Sequence, residues 1–145
     1  SLHTDGAGAG EYRGGSGAVR VYRSMNENQT FTASFGRNKW PVWGAAGGKD
    51  GSVNYFQFID ADGTVSEPMG IAARRVMNTN DVVRMVTATG GGYGNPFKRP
   101  AEKVAMDVKN EYITVEQAKA DYGVLVDPET FKVLGLTEER QKAEK

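Results

Sequence analysis

The residues with most to say about chemistry are the glycines of TGGGYGNPF, Thr89 to Phe97. Three glycines before Tyr93-Gly94-Asn95-Pro96 mean backbone that visits positive φ or passes another group too closely for a Cβ. A phosphate-cradling P-loop places Lys and Ser or Thr directly after its last glycine, to reach the phosphates and Mg²⁺. Here Asn95-Pro96 follow Gly94, so the P-loop reading fails. Two uses fit the pattern: a tight strand-to-helix connection crossed by another segment, or a contact to a substrate channel or a neighbouring subunit. Gly90, Gly91, Gly92, Tyr93 and Gly94 are therefore candidate contact residues. Arg13 joins them, since it sits among Gly10, Gly14 and Gly15, where its guanidinium can face a carboxylate or a carbonyl. A solvated loop position is the simpler expectation for Arg13.

Acid–base and nucleophilic chemistry find little support. The chain has no cysteine and a single histidine, His3, near its start, so neither a Ser-His-Asp nor a Cys-His arrangement assembles. Glu11, Asp60, Glu67 and Asp107 are available carboxylates, but no spacing pairs them. Asp60 and Asp62 match the opening of a calcium loop whose later ligands are missing, and Asp62-Gly63 is explained more simply as a hairpin turn. No catalytic residue can be named and no metal site is expected. Gly6, Gly8 and Gly10 have the wrong spacing for a dinucleotide fingerprint, and a strand rather than a helix follows them. Trp40, Trp43 and Tyr93 suit an aromatic ligand platform, although Trp40-Pro41-Val42-Trp43 suits a sheet edge or an interface better. Arg74-Arg75 is too small for a nucleic-acid footprint.

These groups need elements to position them, and 145 residues are enough for one domain, residues 1–145, with a real core. Balanced charge, 18 basic against 18 acidic residues, argues against general attraction to nucleic acid or an anionic membrane. No apolar run approaches the roughly 20 residues of a membrane span, and no secretory signal pattern is present. Absence of cysteine fits a cytoplasmic protein. The chain begins Ser1-Leu2 without a methionine, consistent with added residues and with a natural polypeptide that begins well before them.

Residues 5–17 form a glycine-rich loop without hydrophobic period. Residues 18–92 read as a β-rich core. Val19 and Val21 alternate with Arg20 and Tyr22; Phe31, Ala33 and Phe35 alternate with Thr30, Thr32 and Ser34. Ser52 to Ile59 is apolar on both faces, which predicts a central strand. A return strand is expected around Val65, and another strand over Val82 to Thr87. This spacing predicts an antiparallel sandwich or open barrel. Residues 98–145 read as a helical segment. Pro100 precedes Ala101, Val104, Ala105 and Val108 at helical spacing. Thr114 and Gln117 form a capping box for a second helix with Val115, Ala118 and Tyr122 inward and Gly123 as its stop. Val124–Val126 and Phe131–Val133 flank Asp127-Pro128-Glu129-Thr130 as a small hairpin, and Thr137 to Lys145 reads as a short frayed tail. The fold class expected is α+β: an antiparallel sandwich or open barrel, then short helices and a small hairpin.

Four segments in this order carry a resemblance: RGGSG followed by VRVYR, NDVVRMVTATGGGYGNPF, AEKVAMDVKNEY, and ITVEQAKADYGVLVD. Together they resemble the C-terminal region of the hydantoinase B / 5-oxoprolinase family, from about Gly6 to Val133. The pairing of GGGYG with DYGV is the most specific part. Departures are small: members often carry GD where this chain has Asn80-Asp81, and a fourth glycine or a proline where it has Ala88-Thr89.

The resemblance implies a role in ATP-dependent chemistry on cyclic amides. A separate actin-like ATPase A subunit would phosphorylate the amide oxygen, turning a poor electrophile into one with a good leaving group. The B subunit, with a metal-activated water, would complete ring opening. Related complexes carboxylate ketones with the same parts. The family's metal ligands are His and Asp residues in a much larger N-terminal part. ATP and a divalent metal are thus implied for the full complex and no cofactor for this segment. Its implied partners are the remainder of the B subunit and the A subunit, with no nucleic acid and no membrane. Alone it would be inactive and structural. A competing reading is a self-standing β-sandwich that holds a carbohydrate or peptide on Trp40, Trp43 and Tyr93.

Overall fold

The computed structural model describes residues 1–4 and 6–143, and the chain divides into two compact units. The first gathers Ser1–His3, Gly17–Pro41 and Val53–Ala88; the second gathers Thr4–Ser16, Val42–Ser52 and the chain from Thr89 on. The architecture is α+β with open antiparallel sheets, as the sequence pattern predicts.

The first unit holds strands β1 (Leu2–His3), β2 (Gly17–Arg23), β3 (Gln29–Ser34), β4 (Tyr55–Ile59), β5 (Ile71–Met77) and β6 (Val82–Val86). One antiparallel sheet has the order β1-β2-β6-β4, and β3 pairs with β5 in a separate ribbon. Period-two alternation puts Phe56 and Phe58 on one face of β4, beside Val83 of β6, and these with Met77 form a buried core. Phe31 of β3 meets both Phe56 and Phe58 edge-on, with ring centroids 5.9 and 5.5 Å apart, a favoured aromatic geometry.

Three elements here differ from expectation. β4 is not a central strand among named elements: beyond it only isolated bridges, Phe56 to Met69 and Ile59 to Val65, continue the pairing. Pro68, which lacks a backbone donor, helps prevent a regular return strand. β5 is invisible to an alternation search. Arg74 sits at φ 54 in a bulge, where its amide donates to Thr32 Oγ1 at 3.1 Å, and this breaks the period. Arg75, read from sequence as half of a basic pair, instead bonds Asp60 at 3.2 Å and covers the Phe58 ring.

The second unit holds α1 (Ala101–Lys109), α2 (Val115–Tyr122), the hairpin of β7 (Val124–Val126) and β8 (Val133–Leu136), and α3 (Glu138–Ala143). α1 starts directly after Pro100, whose carbonyl accepts from the amides of Lys103 and Val104, and Val104, Ala105 and Val108 bury the expected face. Thr114 and Gln117 make the reciprocal capping box. Gly123 ends α2 at φ 64, where a Cβ would be strained. Asp127 closes the hairpin by accepting from the amides of Glu129 and Thr130, and the Thr130 bonds hold its carboxyl below the usual range. The tail is not frayed through Ala143. Arg140 is buried and donates to the carbonyls of Tyr122 and Arg99, which anchors α3. Glu144 and Lys145 lie outside the described residues.

Candidate functional site

Three stretches of small residues meet in the second unit: 6–15, 42–52 and 89–94. Hydrogen bonds from the last reach both others. Gly8 donates to the Gly90 carbonyl at 2.9 Å, and Gly90 donates to Gly15 at 2.8 Å. Gly92 donates to Lys49 and accepts from Ala45, each at 2.9 Å. Tyr93 exchanges two bonds with Tyr12, and Gly94 donates to Ala45. Side chains would hold these backbones apart. A Cβ on Gly92 would fall inside the Ala9 carbonyl oxygen, and one on Gly91 inside that of Trp43. Gly94 lies at φ 78, the left-handed region that favours glycine.

This arrangement fixes what the loop can do. The amides of Gly90, Gly92, Tyr93 and Gly94 all donate to backbone carbonyls, so these four are not free to receive a phosphate or an oxyanion. Thr89, 1% exposed, ties the other two stretches to its own: its hydroxyl donates to the Gly6 carbonyl at 2.8 Å and accepts from the Ser52 amide at 2.8 Å. The Ser52 hydroxyl returns the favour by accepting from the Thr89 amide at 2.9 Å. Sequence reading gave Thr89 no role, because its pattern shows only a polar residue before a glycine run.

What the loop presents outward is aromatic. Tyr93 is 57% exposed and its ring centroid stands 6.2 Å from that of Tyr12, also exposed. Antiparallel pairing of the two backbones puts both rings on one side.

Arg13 is not a solvated loop residue. Its guanidinium donates to the Gly14 carbonyl at 2.9 Å and lies 4.7 Å from the centre of the Tyr112 ring. Its Nε stands 3.5 Å from Asp107 Oδ2 without hydrogen-bond alignment. Arg99 takes the same oxygen from two nitrogens, Nε at 3.1 Å and Nη2 at 2.8 Å, and reaches the Glu11 carbonyl with Nη1 at 3.0 Å. Two arginines thus neutralise one buried carboxylate on α1. Burial pushes the nearby Tyr122 phenol up to about 12, against the opposing pull of the Arg99 charge. Sequence spacing could not pair Asp107 with residues eight positions back and in a distant loop.

The remaining candidates take other places. His3 Nδ1 lies 2.8 Å from the Thr87 carbonyl at the sheet margin. Asp60 is paired with Arg75, and Asp62 accepts from Thr64 in its turn. Trp40 and Trp43 are exposed, at 75% and 76%. Among the described residues no group of three or more His, Asp or Glu side chains converges to hold a metal ion. Nor is any described helix long and apolar enough to cross a membrane.

Residues 1–96 match the hydantoinase B/oxoprolinase family. The chain belongs to that family. An uncharacterized protein of Methanocaldococcus jannaschii is 33% identical over 126 residues, which is 87% of this chain and 22% of that protein. Caprolactamase subunit beta of Pseudomonas jessenii is 32% identical over 143 residues, covering 88% of this chain and 22% of the subunit. The crystal structure of the ATP-dependent caprolactamase of that organism superposes with a TM-score of 0.73 at 30% identity, over 99% of this chain and 24% of that one. A nucleotide-free acetone carboxylase has the same fold, with a TM-score of 0.72 at 18% identity, over 99% of this chain and 23% of that one. The chain therefore spans about a fifth of the length of the curated relatives it matches.

Proposed function

We propose that this chain is part of the B subunit of an ATP-dependent hydrolase that opens cyclic amides, such as a hydantoin, 5-oxoproline or a lactam. The observation that carries the reading is its likeness, along nearly its whole length, to an ATP-dependent caprolactamase. The part described here is structural. Its glycine loop spends the amides of Gly90, Gly92, Tyr93 and Gly94 on backbone, and its buried carboxylate is neutralised by arginine. The family resemblance puts a divalent metal and ATP in the rest of the complex, which includes an actin-like ATPase partner. The Tyr12–Tyr93 surface is the contact this unit offers to the remainder of the subunit, the partner or a substrate channel. Large exposed apolar side chains such as Leu2, Met25, Trp40, Trp43 and Ile71 support a covered, assembled state.

The test is ATP consumption by the full-length subunit with its ATPase partner, offered caprolactam, hydantoin and 5-oxoproline in turn. Stoichiometric ring opening with ATP hydrolysis is expected, and inertness toward all cyclic amides overturns the reading. Ketone carboxylation is the second reading, favoured by the acetone carboxylase fold; bicarbonate-dependent ATP consumption with a ketone selects it. ATP hydrolysis by this chain alone would remove the structural role.

A further inference from the structure

The sheet of the first unit has one margin that stops in the middle of a ladder. β1 pairs antiparallel with β2 in the register Leu2 to Ala18 and His3 to Gly17. The ladder continues through Ser1, whose carbonyl accepts from the Val19 amide at 2.9 Å and whose nitrogen donates back to the Val19 carbonyl at 3.1 Å. On the other side of β2, the Ala18 carbonyl accepts from Thr87 and the Ser24 amide donates to Asp81. Antiparallel pairing alternates, so positions 18, 20, 22 and 24 direct their backbone groups toward β6, and 19, 21 and 23 direct theirs outward. Val19 has Ser1. The outward groups of Val21 and Arg23 have no backbone partner among the described residues.

β2 itself runs on without interruption, paired residue for residue with β6 as far as Arg23 and Val82. Its second half is apolar where it is bare: Val21 is 61% exposed and Tyr22 50%. Beside Tyr22 and Arg23 lies an open groove of about 370 Å³, floored by Phe31, Met77, Val83 and Met85. A straight, bare, partly apolar strand edge is a template for another strand.

We infer that this edge receives the residues directly preceding Ser1 in the full-length subunit, so that β1 is the end of a longer strand running the length of β2. The inference rests on the reading of this chain as a segment of a larger B subunit. Three observations commit it to that occupant. The family match begins at residue 1 and so takes in Ser1–His3. The relatives are about four times as long as the chain. The ladder already points the upstream chain along β2, with the α-amino nitrogen of Ser1 holding the place of an ordinary amide. Extending the register, the residue before Ser1 faces Arg20, the second faces Val21 and bonds with it, and the fourth bonds with Arg23. The first and third project their side chains to the face that carries Tyr22 and the groove.

Hydrogen exchange in the full-length subunit tests this at single amides. Val21 and Arg23 are expected to exchange as slowly as Arg20 and Tyr22, on the order of 100-fold or more below exposed loop amides. Fast exchange at Val21 and Arg23 overturns the added strand. A second measurement identifies the occupant. Arg20→Cys combined with cysteine at the residue before Ser1 creates a non-hydrogen-bonded antiparallel pair, about 4.5 Å between Cα atoms, within disulfide reach. Formation of that crosslink on mild oxidation supports the upstream segment. Protected amides without the crosslink mean a strand from elsewhere and overturn the assignment. Neither readout uses turnover, so a subunit that opens no cyclic amide can still keep the strand, and an active one can still lack it.

Discussion

Gly92 and Ala9 are packed backbone against backbone: the Ala9 carbonyl oxygen occupies the space a Gly92 side chain would need, while accepting from the Lys49 amide at 2.7 Å. That oxygen is tied by its own hydrogen bond and cannot step aside alone. Gly92→Ala is expected to cost about 3 kcal/mol, the upper range for overpacking a closed site. Gly15→Ala is the control, since nothing lies within 4 Å of its Cβ position. Urea unfolding of both variants checks the contrast, and a Gly92→Ala midpoint matching wild type refutes the backbone packing.

Asp107 holds two guanidinium groups on one carboxylate, and removing its charge leaves both partly buried arginines without a counterion. Asp107→Asn is expected to destabilise by about 3 kcal/mol, as for a broken buried pair. Arg99→Met costs more than Arg13→Met, because Arg99 makes two aligned bonds to Oδ2 and Arg13 Nε makes none. Equal losses for the two arginine variants would contradict that geometry.

Tyr122 makes stability sensitive to alkali. Its phenol titrates near 12 in the folded chain, above the ordinary value of 10.0, so the unfolded chain releases the proton first. The contribution is fully present below about pH 10 and is lost as pH rises through about 12. Tyr122→Phe removes a hydroxyl that has no hydrogen-bond partner among the described residues. Near neutral pH this is expected to change stability by less than ~1 kcal/mol. The variant also loses less stability than wild type between pH 9 and 12. Parallel curves across that range would show that the phenol is not shielded.

Tyr12 and Tyr93 are exposed and brace each other, so truncating them spares the core. In the full-length subunit, Tyr93→Ala is expected to unfold at the wild-type midpoint within ~0.5 kcal/mol. The same variant is expected to reduce turnover or partner affinity about tenfold, the loss for an aromatic anchor worth over ~1 kcal/mol. Stability and activity both unchanged would leave the pair without a contact role.

Much of the fold was legible because local rules and tertiary packing agree there. The alternation in β3, the Pro100 start of α1, the Thr114–Gln117 box and the Gly123 stop each satisfy a backbone or burial requirement within a few residues. Where local and long-range demands part, the sequence misleads. The bulge at Arg74 conceals β5, and the polar tail conceals the buried Arg140 that anchors α3. The family is also written in the chain, because GGGYG and DYGV keep their order and spacing. What the glycines are for is not: a missing Cβ matters only against the atoms that approach it, and the Ala9, Trp43 and Lys49 backbones come from 40 to 80 residues away. The pairing of Asp107 with Arg99 and Arg13 likewise awaits the turn before α1 and the folding of the first loop onto that helix. Sequence alone determined the elements and the kinship; tertiary structure alone decided which backbones cross, which charges cancel and which aromatic rings remain outside.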